Sequence, residues 1–379
     1  MRRGAGATRA RRGSSVVRIL TNLDQLTEIA PAWQRLANTA GARVTAQPLF
    51  CLPWITHLCP GRPLVACAFV DGSLVALAPL HERRRAGLRV VRFLGHGLGA
   101  VNEMLVAPGY ESAAAACWNR ILGDSLRYLQ LLEYRSGTTG LEALAEVTPA
   151  AVVHERDACP VIELEGRTYD DYLASRPKGL RRTLRRSDER LAGSHRNHEV
   201  EIIRDPVRVE RVLPEVFTIY DAAERSVPRQ HLLAGPWAGF TRAVLRRAAV
   251  EGRLRLFLGR IDGRPASFDV GFVGGGRLEL WLGRYHPLYA GYSPGHLAMR
   301  HIVKQAFAEQ QSSIDMGLGD HLYKRRWADS AYPTLEVAAA SSPWIHWRGA
   351  CALEVGRRLR SATASVSSRR RTAQAVPTG

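Results

Sequence analysis

Lysine is almost missing from this chain. Of its 53 basic residues only Lys178, Lys304 and Lys324 are lysine, and the rest are arginine. So broad a bias is compositional, yet a guanidinium cannot stand in for a compact, tunable ammonium, which marks the three lysines for attention. Lys304 falls on the polar side of its helix and reads as inert. Long apolar runs are also missing: no stretch of about 18 residues is free of charge, which argues against a membrane-spanning helix. Behind the Arg-rich start the only apolar pair, Val16–Val17, is cut by Arg18. That is too short for a secretory signal, and a cytoplasmic protein is expected. The six cysteines form no C-x-x-C pair and read as small hydrophobes in a reducing compartment, with no disulfide frame and no metal expected. His195 and His198, the one tight histidine pair, lie in a basic polar stretch and read as solvated. No Ser-His-Asp arrangement or nucleotide P-loop stands out.

The net charge of +18 is concentrated rather than spread. Residues 1–18 and 356–379 each hold six arginines and no acid, and both lack the apolar pattern of a core, so disordered tails are expected there. Arg176–His198 adds eight basic residues against Asp188 and Glu189. The remainder sums to about zero. A dedicated nucleic-acid binder would be basic over its folded body, and this one is not. A basic amphipathic pattern does occur near the C-terminus, where Trp344, Trp347, Cys351, Val355 and Leu359 alternate with Arg357, Arg358 and Arg360. It leaves open a non-catalytic binding module or a peripheral membrane contact through the basic tails.

At 379 residues the chain suits two domains of roughly 150–190 residues each. Asp24–Ala40 has helical apolar spacing, and a short helix covers Leu49–Cys59. Leu64–Val70 and Leu74–Leu80, joined at Asp71-Gly72, predict a hairpin. Leu88–Leu94 and Asn102–Val106 follow as strands, Glu111–Gly123 as a helix and Arg127–Tyr134 as a strand. Tyr169–Gly193 reads as two helices broken at Pro177. Val207–Ala223 and Trp237–Glu251 are two more. The first order then recurs: a hairpin at Asp262-Gly263, a strand over Arg277–Tyr285, a helix over Gly295–Glu309 and a strand at Ser313–Met316. The repeated order points to a duplicated unit.

In the second unit a strand feeds Ser293-Pro294-Gly295 and then a helix. Unpaired amides and a favourable dipole at such a helix start suit a pyrophosphate, and Gly295 admits close approach. The ordered set Lys178-Gly-Leu-Arg-Arg182, Tyr292-Ser-Pro-Gly295 and Asp315-Met-Gly-Leu-Gly-Asp-His-Leu-Tyr-Lys324-Arg-Arg-Trp327 resembles the cellulose-biosynthesis-type acetyltransferases of the GNAT superfamily. Trp33, Ala46–Trp54 and Ala78-Pro79-Leu80 carry the likeness into the first unit, so that it covers roughly residues 20–340. That family is similar in turn to the Fem-type aminoacyl transferases, whose Phe/Tyr-Lys element Tyr323-Lys324 would match. The chain departs from the Q/R-x-x-G-x-G/A phosphate loop of simple GNAT enzymes, having only Gly291 and Gly295 there.

The resemblance implies an α+β (α/β) fold of two tandem GNAT-like halves, each a mixed, mostly antiparallel sheet flanked by helices. The expected divisions are a basic tail over 1–18, halves over 19–160 and 161–340, and a C-terminal helix and tail over 341–379. It implies direct transfer of an acyl group, acetyl above all, from acyl-CoA as co-substrate to an amine or hydroxyl of a small-molecule or saccharide acceptor. The alternative is a Fem-like transfer from a charged tRNA. The thioester would lie between splayed strands Leu278–Tyr285 and Ser313–Met316, against Leu282, Gly283, Tyr285, Ser293, Pro294, Gly295 and His296. Lys324 is the first candidate for stabilising developing charge. Asp315 either orients Lys324 or an arginine, acts as base, or forms a structural ion pair. Asp320 and His321 are loop alternatives for the base, and Tyr323 is a candidate general acid or a packed aromatic. Lys178, Arg181, Arg182, Arg185 and Arg186 either receive an anionic acceptor or form a solvated helix face.

Overall fold

The computed structural model describes residues 15–224 and 233–352. The expected tails over 1–14 and 353–379 lie outside the described residues. In the first half the chain runs β1 (Val16–Leu20), α1 (Leu23–Glu28), α2 (Ala30–Thr39), α3 (Pro48–Leu58), β2 (Arg62–Val70), β3 (Ser73–Arg85), β4 (Leu88–Phe93), β5 (Leu105–Val106), α4 (Glu111–Leu122), β6 (Arg127–Arg135), α5 (Thr139–Val147) and β7 (Val152–Glu163). It continues through α6 (Tyr169–Ser175), α7 (Lys178–Gly193), β8 (His198–Ile203), α8 (Pro206–Glu224), α9 (Gly235–Val250), β9 (Leu254–Ile261), β10 (Arg264–Gly274), β11 (Arg277–Tyr285), α10 (Pro294–Ala308), β12 (Ser313–Asp315), α11 (Leu322–Trp327) and β13 (Ser330–Ala340).

Local chemistry explains the punctuation. Asp71-Gly72 and Asp262-Gly263 all have positive φ, between 49° and 75°. Both pairs thus adopt the turn whose twist matches a hairpin. Asn22 caps α1, and Pro31 at the start of α2 divides what the periodicity reads as one helix. Thr168 and Asp171 form a capping box on α6, and Pro177 separates α6 from α7. β1 begins inside the stretch expected to be tail, because Val16–Leu20 pairs along the edge of β2.

The strands form one mixed sheet, in the order β1-β2-β3-β4-β6-β13-β7-β12-β11-β10-β9-β8, with β5 beside β3. Reading inward from either edge gives the same pattern. Three antiparallel steps lead to one parallel step, β4 to β6 across α4 and β11 to β12 across α10. The fold is therefore two tandem halves of like strand order, as expected. The centre was not legible in the sequence. β7, last strand of the first half, pairs with β12 of the second, while β13 returns to pair with β6 of the first. β7 and β13 also pair with each other. Each half lends its closing strand to the other, and position 160/161 falls inside β7.

The halves also share a core. Phe50 of α3 meets Phe240 of α9 and Trp281 of β11 edge-on, at 5.2 and 5.6 Å between ring centres. These rings belong to one apolar cluster that extends from Trp33 to Leu282. A separate cluster beneath α10 uses Met299, Ile302, Val303 and Ala306, which share one face of the helix. Among the described residues no helix is long and apolar enough to cross a membrane.

Candidate active site

The parallel pairing of β11 with β12 stops at Glu279 opposite Asp315. Beyond that point β11 continues to Tyr285, whereas the other strand turns away at Gly317 (φ 68°) and Gly319 (φ 99°). A Cβ at Gly317 would lie 2.9 Å from the Leu280 carbonyl oxygen, so only glycine allows the turn so close to the strand. The strands therefore part beyond Glu279 and Asp315, and along this gap that edge of β11 has no strand partner among the described residues.

A buried polar cluster pins the point where they part. Asp315 is 1% exposed; it accepts from the Gly317 amide at 2.8 Å and from the Tyr332 hydroxyl at 2.8 Å. Arg43, between α2 and α3 of the first half, reaches the same carboxylate at 2.6 Å. Glu279 accepts from the Val44 amide at 3.1 Å and pairs with Arg277 at 2.9 Å. Burial opposes the Arg43 charge, but Asp315 and then Glu279 hold its pKa above the ordinary guanidinium range. Burial and the neighbouring Asp315 carboxylate push the Tyr332 phenol well up. Of the roles open to Asp315, these contacts fit the ion pair.

The helix after the gap, α11, points successive residues in different directions. Lys324 is buried, and its Nζ donates to the carbonyls of Gly317 at 3.1 Å and Leu318 at 2.6 Å. Burial lowers its pKa to about 8, against the support of Cys159 and Asp315. Its neighbour Tyr323, 46% exposed, stacks on His321, and partial burial followed by the charge of Asp269 raises its phenol to about 12. Asp320 is held by Arg325 at 2.6 Å, which depresses its pKa.

Asp269, on β10, escapes a reading of motifs. It lies opposite Gly283 of β11, and a Cβ on Gly283 would sit 2.0 Å from its Oδ1. It has no hydrogen-bond or ion-pair partner among the described residues. Burial raises its pKa to about 8, partly offset by Arg284. The signal in the sequence was faint but present: it is the only charged residue in the run Pro265–Val273. A carboxylate placed in such a strand is costly unless it has work to do.

At the outer end of the gap, Ser293 takes a left-handed conformation (φ 54°) and starts α10, with Pro294 as first helical residue. Tyr285 packs against Gly295, 3.7 Å from where a Cβ would stand. Trp327 Nε1 donates to His296 Nδ1 at 3.1 Å, which leaves Nε2 as the protonated nitrogen of a neutral ring; burial, then Arg326, lowers the His296 pKa. Gly283 and Tyr285 thus lie on the unpaired stretch of β11, and Gly295 and His296 at the start of α10 beside Tyr285, while the Leu282 side chain is directed into the shared core. Lys178, Arg181, Arg182 and Arg185 stand exposed on α7, whose later residue Arg190 donates to Gly291 beside the same helix start at 2.6 Å. Only Arg185 among those four has an ion pair, with Glu189 at 3.4 Å. His198 faces His301, with ring centres 5.8 Å apart.

Residues 178–325 match the family model of the acetyltransferase (GNAT) domain. The second half carries a GNAT-type domain. Solved structures share the fold over most of the chain. FemX superposes with a TM-score of 0.59 at 10% identity, over 81% of this chain and 95% of its own. The C-terminal domain of a putative lysylphosphatidylglycerol synthetase from Agrobacterium fabrum gives 0.58 at 9% identity, over 87% and 96%. L-PGS from Bacillus licheniformis gives 0.55 at 10% identity, over 86% and 96%. No curated protein matches at a significant level. The family match supports acyl transfer in general terms, and the solved structures show the fold.

Proposed function

We propose that the chain transfers an acyl group, acetyl in the first instance, from coenzyme A to an amine or hydroxyl. Within the GNAT superfamily, the motifs from Lys178 to Trp327 favour the cellulose-biosynthesis-type acetyltransferases and hence a saccharide or other small acceptor. The observation that carries the proposal is the Asp269 carboxyl, unpaired and beside Gly283 at the gap, with the Tyr323 phenol near it. The thioester would lie along the free edge of β11, its pyrophosphate at the start of α10, where Gly295 and His296 offer donors. Asp269 in its ionised form takes the proton of the acceptor as the nucleophile adds to the thioester carbonyl. As the tetrahedral intermediate collapses, the C–S bond breaks and Tyr323 supplies the proton that leaves with the thiol. Asp269 then returns its proton to Tyr323 directly or through solvent, so no net charge is left on the enzyme. Lys324 acts as a positioning residue: its ammonium closes the Gly317-Leu318 turn that opens the gap. Domain division near β7 belongs to the same proposal.

A donor carried on tRNA is the second reading, favoured by the exposed basic face of α7. Thermal shift with acetyl-CoA separates the two, since saturating ligand raises the melting temperature. With a soluble amine acceptor, release of free thiol should rise as pH passes through about 8, the range in which Asp269 loses its proton. Asp269→Asn should lower kcat by about 100-fold or more. An unchanged rate in a folded Asn variant would remove Asp269 from the chemistry.

A further inference from the structure

Beyond β13 the chain forms a helix over residues 343–352. One face of it is seated on the first half. Ile345 joins a small buried cluster with Leu88 and Tyr128, His346 meets the Tyr128 ring edge-on, and Gly349 lies so close that a Cβ would strike that ring. Trp344 and Trp347, on the other face, are 61% and 59% exposed, and among the described residues their indoles stack at 5.3 Å only on each other. Arg348 reaches across to the β3–β4 turn, its guanidinium 3.5 Å from the Ala86 carbonyl. The sequence that follows, 353–379, holds six arginines and one acid, Glu354.

Two exposed tryptophans next to Arg348, with a basic segment directly following, match one kind of partner. Indoles favour the boundary between headgroups and acyl chains, and arginines are drawn to the negative potential of anionic lipid. A second copy of the chain is a poorer fit. Two indoles of about 150–250 Å² each fall well short of the roughly 800 Å² per partner of a stable dimer. We propose that Trp344 and Trp347, flanked by Arg348 and followed by the basic segment, form a peripheral docking surface for an anionic bilayer. This surface belongs to the first half and does not depend on the proposed chemistry.

The test uses the full chain and two vesicle preparations, phosphatidylcholine alone and phosphatidylcholine mixed with phosphatidylglycerol. The protein should sediment with the mixed vesicles only, and high salt should release it. Trp344→Ala/Trp347→Ala should weaken binding at least tenfold, with an unchanged melting temperature. In the wild type, lipid brominated near the headgroup end of its chains should quench tryptophan emission, and the double variant should lose that quenching. Equal vesicle binding by the double variant would overturn the proposal. So would self-association that disappears in the double variant, or tryptophan-dependent capture of single-stranded RNA in place of vesicles. Acyl transfer is not read in any arm, so its failure would leave the result intact.

Discussion

Arg43→Met tests whether the first half sets the geometry of the gap in the second. The substitution keeps length and apolar bulk but removes the charge that meets Asp315 at 2.6 Å. Asp315, 1% exposed, would keep its bonds from Tyr332 and Gly317 but lose the Arg43 charge, and Glu279 would keep Arg277 and its bond from the Val44 amide. Removing one partner of a buried ion pair costs about 3–5 kcal/mol, chiefly because the remaining charge is stranded. Asp315→Asn should cost a similar amount by stranding Arg43, whose other carboxylate, Glu279, stands at 4.0 Å. Taken together the two changes leave no stranded charge, so the double variant should lose about 2 kcal/mol or more less than the sum of the singles. Urea unfolding followed by circular dichroism and tryptophan emission measures all three variants. Coincident curves from the two probes would support reading one free energy from each. The reasoning is refuted if Arg43→Met costs under about 1 kcal/mol, or if the double variant equals the sum. The acetyl-CoA thermal shift should also shrink in Arg43→Met, beyond what its lower starting temperature explains.

Three more perturbations follow from the site. The Asp269 pKa is raised from 3.8 to about 8, so the folded state binds more protons between those values, and wild-type stability should fall as pH rises from about 4 to 8. Asp269→Asn should remove up to about 1.4 kcal/mol per pH unit of that slope in urea titrations, and an unaltered slope would mean Asp269 is not the group responsible. Lys324 moves the other way, from 10.5 to about 8, so stability should rise between pH 8 and 10.5. Lys324→Met should flatten that rise and, by stripping two carbonyls of their donor, cost about 1–3 kcal/mol at neutral pH; an unchanged melting curve would contradict both. Gly283→Ala places a methyl 2.0 Å from Asp269 Oδ1, and should cost about 1–3 kcal/mol and most of the turnover, as checked by melting and thiol release. Full activity would show that the carboxyl can move without consequence.

What could be read from sequence alone was whatever short-range chemistry dictates. The Asp-Gly turns, the break at Pro177 and the helices α8, α9 and α10 all appear within a few residues of where their patterns placed them. Tyr323, Lys324, Gly283 and Gly295 were marked because they sit in recognisable local motifs. Arg43 and Asp315 are 272 residues apart, and nothing near Arg43 announces a partner. Asp269 gave only an odd charge in an apolar run, and its raised pKa arises from burial created by neighbouring strands. The exchange of β7 and β13 left no trace, because a strand pattern fixes which face is buried but not which edge it will find.

That exchange governs how such a molecule can change. If each half were closed by its own last strand, either could be lost, replaced or copied into another gene as a unit. Here, removing one half would take away the strand that completes the other and leave a raw β edge at the centre of the sheet, open to pairing with any passing chain. The two copies are therefore bound to a shared inheritance. A substitution in β7 is felt by the second half, one in β13 by the half that carries Trp118 and Tyr134 beneath it, and neither copy is free to drift alone.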